Sequence, residues 1–178
     1  MTIERSLQEQ VDVAFDNYLT LSEVLRSDLE RLLDEEREDE YWRRNFIRAS
    51  AALIEGYAHC LREICIVGLA CEAPELSAVE KKVLLSESAC SANERVKRTL
   101  KATYKLLELS RAPDFGGTEW PNAQQILDKR HLLMHPKKPQ DLEVPDELWK
   151  NTREGVGWLL KQFVTIFEQL QHKHGKSN

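Results

Sequence analysis

Apolar residues recur at three- and four-residue steps through every long stretch of this chain, and no stretch alternates them at the two-residue step of a strand. From residue 3 to about 36 the series runs Ile3, Leu7, Val11, Ala14, Phe15, Tyr18, Leu21, Leu25, Leu29, Leu32 and Leu33, set among charged positions. A second long helix is expected from about Tyr41 to Cys71, with Phe46, Ile47, Ala51, Ile54, Ala58, Leu61 and Cys65 on its buried face. A last helix is expected from Pro145, well suited to a first helical position, to about His172, followed by a polar tail. With only 7 Gly and 6 Pro in 178 residues, little interrupts these runs. The expected fold class is all-α, an antiparallel bundle of about five helices. The 42% apolar content suits one domain spanning residues 1–178.

Shorter helices are marked by their starts. Ser77 with Glu80 three residues on is a capping-box pattern, opening a short helix through about Ser86. Ser91 with Glu94 repeats it, opening a basic helix from Ala92 to about Ser110. Asn122 with Gln125 does so a third time, after Trp120 and Pro121. That helix should finish near Met134, because Pro136 biases His135 away from helical backbone.

Composition excludes several classes of function. The net charge of −5 rules out a uniformly basic nucleic-acid binder, so any anion site must be local. The most apolar long segment, Ala49 to Ala73, contains Glu55, His59, Arg62, Glu63 and Glu72, so it predicts a buried helix and no membrane span. No secretory pattern is visible in MTIERSLQEQ, and a cytoplasmic location is expected. Cys60, Cys65, Cys71 and Cys90 form no CxxC pair and are expected to be reduced thiols. His59 and Cys60 point about 100° apart on a helix, so no metal site is expected there, nor any cofactor. The four tryptophans are expected as core or interface anchors. Gly116-Gly117 follows no strand and is no phosphate loop.

One stretch carries chemistry: Asn122 to Lys138, NAQQILDKRHLLMHPKK. Ala123, Ile126, Leu127, Leu133 and Met134 form an apolar stripe, and Arg130 projects near its middle with His131 on the shoulder. An arginine taken out of water needs a carboxylate, a subunit partner or a phosphate to compensate it. Glu55, on the second helix, is a candidate carboxylate. From Lys129 to Lys138 the chain carries Lys129, Arg130, Lys137 and Lys138 with His131 and His135 and no acid. A fixed cation beside a titratable imidazole is the minimum needed to cleave an RNA phosphodiester. A base takes the 2′-hydroxyl proton, an acid protonates the leaving 5′-oxygen, and the cation stabilises the transition-state charge. Histidine titrates near neutrality, and arginine can hold two phosphate oxygens without losing its charge. Five residues put Arg130 and His135 about 140° apart on a regular helix, an objection that the Pro136 break removes.

Arg130-His131-Leu-Leu-Met-His135 resembles the R-x4-6-H motif of HEPN domains, which lies on a late helix of an all-α bundle with a polar residue directly after the arginine. The resemblance implies a metal-independent endoribonuclease, often a toxin of a toxin–antitoxin or phage-defence system. It also implies a homodimer in which two motifs face each other across an RNA-binding cleft. Carried onto this sequence, Arg130 would bind the scissile phosphate and His135 would act as general base or acid. His131 would orient them or bind RNA. Lys137 and Lys138 are phosphate-contact candidates by charge, and Glu55 a candidate support for Arg130. In one branch of the family a tyrosine two residues after the motif histidine receives AMP from a nucleotidyltransferase antitoxin. Lys137 stands there, so an antitoxin would have to act differently. Two other readings fit the same residues. One is a HEPN-like bundle without catalysis that binds RNA, nucleotide or a protein. The other is an unrelated helical interaction protein whose Arg130 pairs with a carboxylate.

Overall fold

A computed structural model describes residues 6–35, 37, 39–70, 76–86, 90–109 and 112–174. Among them every regular element is helical: α1 (Leu7–Asp34), α2 (Glu40–Ala70), α3 (Ala78–Leu85), α4 (Ala92–Leu106), α5 (Glu119–Met134) and α6 (Asp146–His174), with a 3-10 turn at Pro139–Leu142. The fold is an all-α helical bundle, and no described helix is long and apolar enough to cross a membrane. Cys71 and the tail beyond His174 lie outside the described residues. The chain groups into two compact units, residues 1–22 with 55–113 and residues 23–54 with 114–178, so α1 and α2 each contribute to both.

In the first unit, Cys65, Leu76, Leu84 and Ala102 form a buried cluster against which Ile66, Leu69 and Leu106 pack. Two pairs of buried polar side chains in this unit hydrogen-bond with each other: Ser22 with Tyr57, and the Cys65 thiol with Thr103 at 3.2 Å. The predicted capping box at α3 is complete, the Ser77 hydroxyl accepting from the Glu80 amide and the Glu80 carboxylate from the Ser77 amide. At α4 only half of it forms. Ser91 accepts from the Glu94 amide, but the Glu94 carboxylate turns to Arg98 one turn on. A guanidinium in reach outcompetes a neutral amide for a carboxylate.

Helix α4 ends four residues before the predicted Ser110. Glu108 adopts the left-handed backbone (φ 53°), the Leu109 amide donates back to the Tyr104 carbonyl (2.9 Å) and the Glu108 amide to Lys105 (3.2 Å). This is the six-to-one closure that usually recruits glycine. With glutamate there, no sequence signal marks the stop. Glu108→Gly is expected to raise stability by about 0.5–1 kcal/mol in urea denaturation, since it relieves the left-handed strain.

Glu80 also ties α3 to α4, accepting from Lys105 Nζ at 2.7 Å. Burial would push its carboxyl up, but the hydrogen bonds from Lys105 and Ser77 outweigh it and bring it down to about 2 from 4.5. A carboxyl depressed on folding stabilises the protein above its unfolded value and loses that contribution as pH falls toward the folded one. Because the Lys105 side chain is 50% exposed, about 1–2 kcal/mol is expected to disappear between pH 4.5 and 2. Glu80→Gln should flatten that part of a stability–pH curve measured by urea melts.

In the second unit, two aromatic clusters anchor the helices. Trp149 of α6 meets Trp42 and Phe46 of α2 edge-on, with ring centres at 5.1 and 4.9 Å. Phe115 stands edge-on to both Trp120 and Trp158. Three of the four tryptophans are thus buried anchors and Trp158 is half-buried. Helices α5 and α6 pack along each other, and at Gly155 their backbones come close. A Cβ built there would lie 2.5 Å from the Ala123 amide nitrogen and 2.6 Å from the Asn122 carbonyl carbon.

The start of α5 differs from expectation. It begins at Glu119, with Pro121 inside its first turn, where a missing amide hydrogen costs nothing. Asn122 is therefore inside the helix, and its side chain donates to Glu154 of α6 at 3.0 Å. Similarly, Pro145 precedes α6 instead of opening it, its carbonyl accepting the Trp149 amide at 2.8 Å.

Candidate functional site

The end of α5 is where the sequence placed it. His135 leaves the helical region (φ −133°, ψ 58°) ahead of Pro136, while its amide still donates to the His131 carbonyl at 3.0 Å. That bond keeps the last turn closed. His131 and His135 therefore stand one above the other, both exposed, with ring centres 5.2 Å apart and planes inclined at 54°.

The burial pattern of α5 corrects the expected stripe. Ala123, Ile126, Leu127 and Leu133 are buried, but Met134 is 51% exposed. The buried cation is Lys129, 7% exposed, whereas Arg130 is only half-buried. The cause is the 3-10 turn, which folds back on the Lys129 and Leu133 side of the helix. Lys129 Nζ donates to the Asp141 carbonyl at 2.8 Å, and burial holds the amine below its usual range. The helical wheel located the core at the front of α5 and missed its rotation at the back.

The segment after the histidines is held on both sides. The Asp141 carboxylate accepts the Lys137 amide at 2.8 Å and the Lys138 amide at 3.2 Å. The Lys137 amide is the main reason its carboxyl lies below the ordinary value, with the Lys138 amide and the cations of Lys138 and Lys129 adding to it. From α2, Arg44 donates to the Leu142 carbonyl (3.4 Å) and Arg43 to the Val144 carbonyl (3.0 Å) and to Asp146 (2.7 Å). Glu40 accepts the Val144 amide at 3.1 Å. The Lys137 and Lys138 side chains project from this clasp, both exposed.

Sequence reasoning missed Arg48. It lies on α2, donates to the Leu133 carbonyl (3.4 Å) and so brings a second guanidinium to the last turn of α5, where the carbonyls lack helical partners. Only the fold makes it a neighbour of the motif. Glu55, by contrast, belongs to the first unit, where it lines a recess of about 260 Å³ with His59, Arg62 and Arg95.

Cysteine chemistry finds no support. Cys60 and Cys65 are buried and burial raises their thiols to about 11 and about 12, so neither supplies a thiolate near neutrality. Cys90 is half-buried and free. Among the described residues no three His, Cys, Asp or Glu side chains converge as a metal site. What the second unit assembles is a pair of exposed imidazoles at a proline-stopped helix end, with Arg130 beside them in sequence, Arg48 reaching the last turn from α2 and two exposed lysines following. Comparison with protein-family models, with curated proteins and with solved structures finds no match in any of the three.

Proposed function

We propose that the chain is a metal-independent endoribonuclease of the HEPN type, acting through the end of α5. The observation that carries this reading is the exposed His131–His135 pair, with ring centres 5.2 Å apart, in a segment that holds Arg130, Lys137 and Lys138. Transfer to the RNA 2′-hydroxyl needs one proton taken and one given at a single phosphate, and neighbouring imidazoles can do both. His135, released from the helix, takes the proton from the 2′-oxygen. That oxygen attacks phosphorus, the bond to the 5′-oxygen breaks, and the departing oxygen collects a proton from a second acid, a role His131 is placed to fill. The products are a 2′,3′-cyclic phosphate and a free 5′-hydroxyl. Arg130 binds the non-bridging oxygens, and Lys137 and Lys138 hold flanking phosphates. A two-fold homodimer would set two such ends against one RNA strand. A toxin or defence role, held in check by an antitoxin protein, follows from the same resemblance.

The test is incubation of purified chain with a labelled structured RNA in EDTA, beside Arg130→Ala and His135→Ala variants shown by circular dichroism to be folded. Cleavage leaving 2′,3′-cyclic ends, lost in both variants, supports the proposal. Binding of RNA without cleavage would establish a non-catalytic binding module in its place, and cleavage that survives both substitutions would place the chemistry elsewhere.

A further inference from the structure

We propose that His131 and His135 together form a binding site for one divalent transition-metal ion (zinc, nickel or copper) and that its occupancy switches the ribonuclease off. The regulatory half rests on the ribonuclease reading; the metal site does not. Histidines four residues apart share a helix stripe, and the His135 amide to His131 carbonyl bond keeps that register although His135 has left helical backbone. Two imidazoles that share one ion at about 2.1 Å, at a near-tetrahedral angle, have ring centres roughly 5 Å apart. The observed separation is 5.2 Å, and the 54° inclination is too steep for a stacked pair. The separation is therefore already that of a chelate.

The rest of the surroundings define what kind of site this is. Both rings are exposed, so an ion can enter and water can fill the other positions. Among the described residues no third His, Cys, Asp or Glu side chain joins them, which makes the site open and exchangeable instead of structural. The cations beside the pair in sequence, Arg130, Lys137 and Lys138, oppose a bound cation and weaken its hold. Imidazole donors select copper, nickel and zinc, while magnesium and calcium prefer oxygen and should not bind. A ligated imidazole has given its lone pair to the metal and can neither take a proton there nor deliver one. Occupancy of the pair thus removes both proton-transfer groups at once.

The test is calorimetric titration of the chelator-stripped chain with zinc chloride, repeated on His131→Ala, His135→Ala and, as a control for the C-terminal histidines, His172→Ala. One zinc per chain, lost in each of the first two variants and kept in the third, with no heat from magnesium chloride, supports the site. No zinc binding, or binding unchanged in both His131→Ala and His135→Ala, overturns it. RNA cleavage that falls at least tenfold when EDTA is replaced by saturating zinc chloride supports the regulatory half. Cleavage indifferent to bound zinc overturns that half and leaves the ribonuclease standing. Zinc held by the pair in a chain that cleaves no RNA keeps the metal site and removes the ribonuclease reading.

Discussion

His135→Ala is expected to lower the rate of RNA cleavage by about 10²- to 10⁴-fold while changing RNA affinity by no more than about threefold. The asymmetry follows from the residue's place. His135 is exposed beyond the last turn of α5, and the backbone bond that closes that turn is independent of its side chain. On the proposed mechanism, truncation therefore removes a proton-transfer group and leaves Arg130, Lys137 and Lys138 in place. Arg130→Ala should behave differently, weakening binding and rate together, because a phosphate-holding cation acts in both the ground state and the transition state. Single-turnover rates and filter-binding affinities on the same RNA separate the two cases. A fall in affinity equal to the fall in rate for His135→Ala would make His135 a binding residue and no catalyst.

Gly155→Ala is expected to destabilise the protein by about 2–3 kcal/mol or more, and Gly155→Val to prevent stable docking of α5 on α6. The added Cβ would lie 2.5–2.7 Å from backbone atoms of Asn122 and Ala123, which cannot rotate away as a side chain could. Alanine's better helix propensity returns only about 1 kcal/mol. Gly157 supplies the internal control. It lies two residues further along the same helix, is exposed, and a Cβ there meets nothing within 4 Å. Gly157→Ala should stabilise by up to about 1 kcal/mol. Urea denaturation of the pair should thus move in opposite directions, and equal shifts would refute the close-approach account.

The same two glycines show what the sequence can and cannot disclose. The fold class was legible because long amphipathic helices repeat their apolar residues at 3.6-residue spacing, which survives in one dimension. Helix ends set by side chains, such as Ser77 with Glu80, were legible too. Ends set by backbone were not: Glu108 closes α4 in a conformation its residue type does not announce. Gly155 and Gly157 look alike as letters, and only the neighbouring helix distinguishes them. At the candidate site, His131 and His135 were found because Pro136 marks the helix end. Their pairing follows from a four-residue step. The exchange of Lys129 for Arg130 as the buried cation depends on a turn formed by Pro139–Leu142, and Arg48 arrives from a helix some 85 positions earlier in the chain. Neither has a local signature.

The Asp141 clasp has a consequence of its own. Two adjacent lysines on an exposed loop are an obvious target for trypsin, and a protease must draw the chain into an extended strand before it can cut. Here both lysine amides are bonded to one carboxylate whose own carbonyl is bonded to buried Lys129. The bond after Lys138 is further shielded because proline follows it. Cleavage at this basic loop therefore requires the far end of α5 to open first. Limited trypsin digestion is expected to cut this exposed basic loop more slowly than its lysine pair alone would suggest.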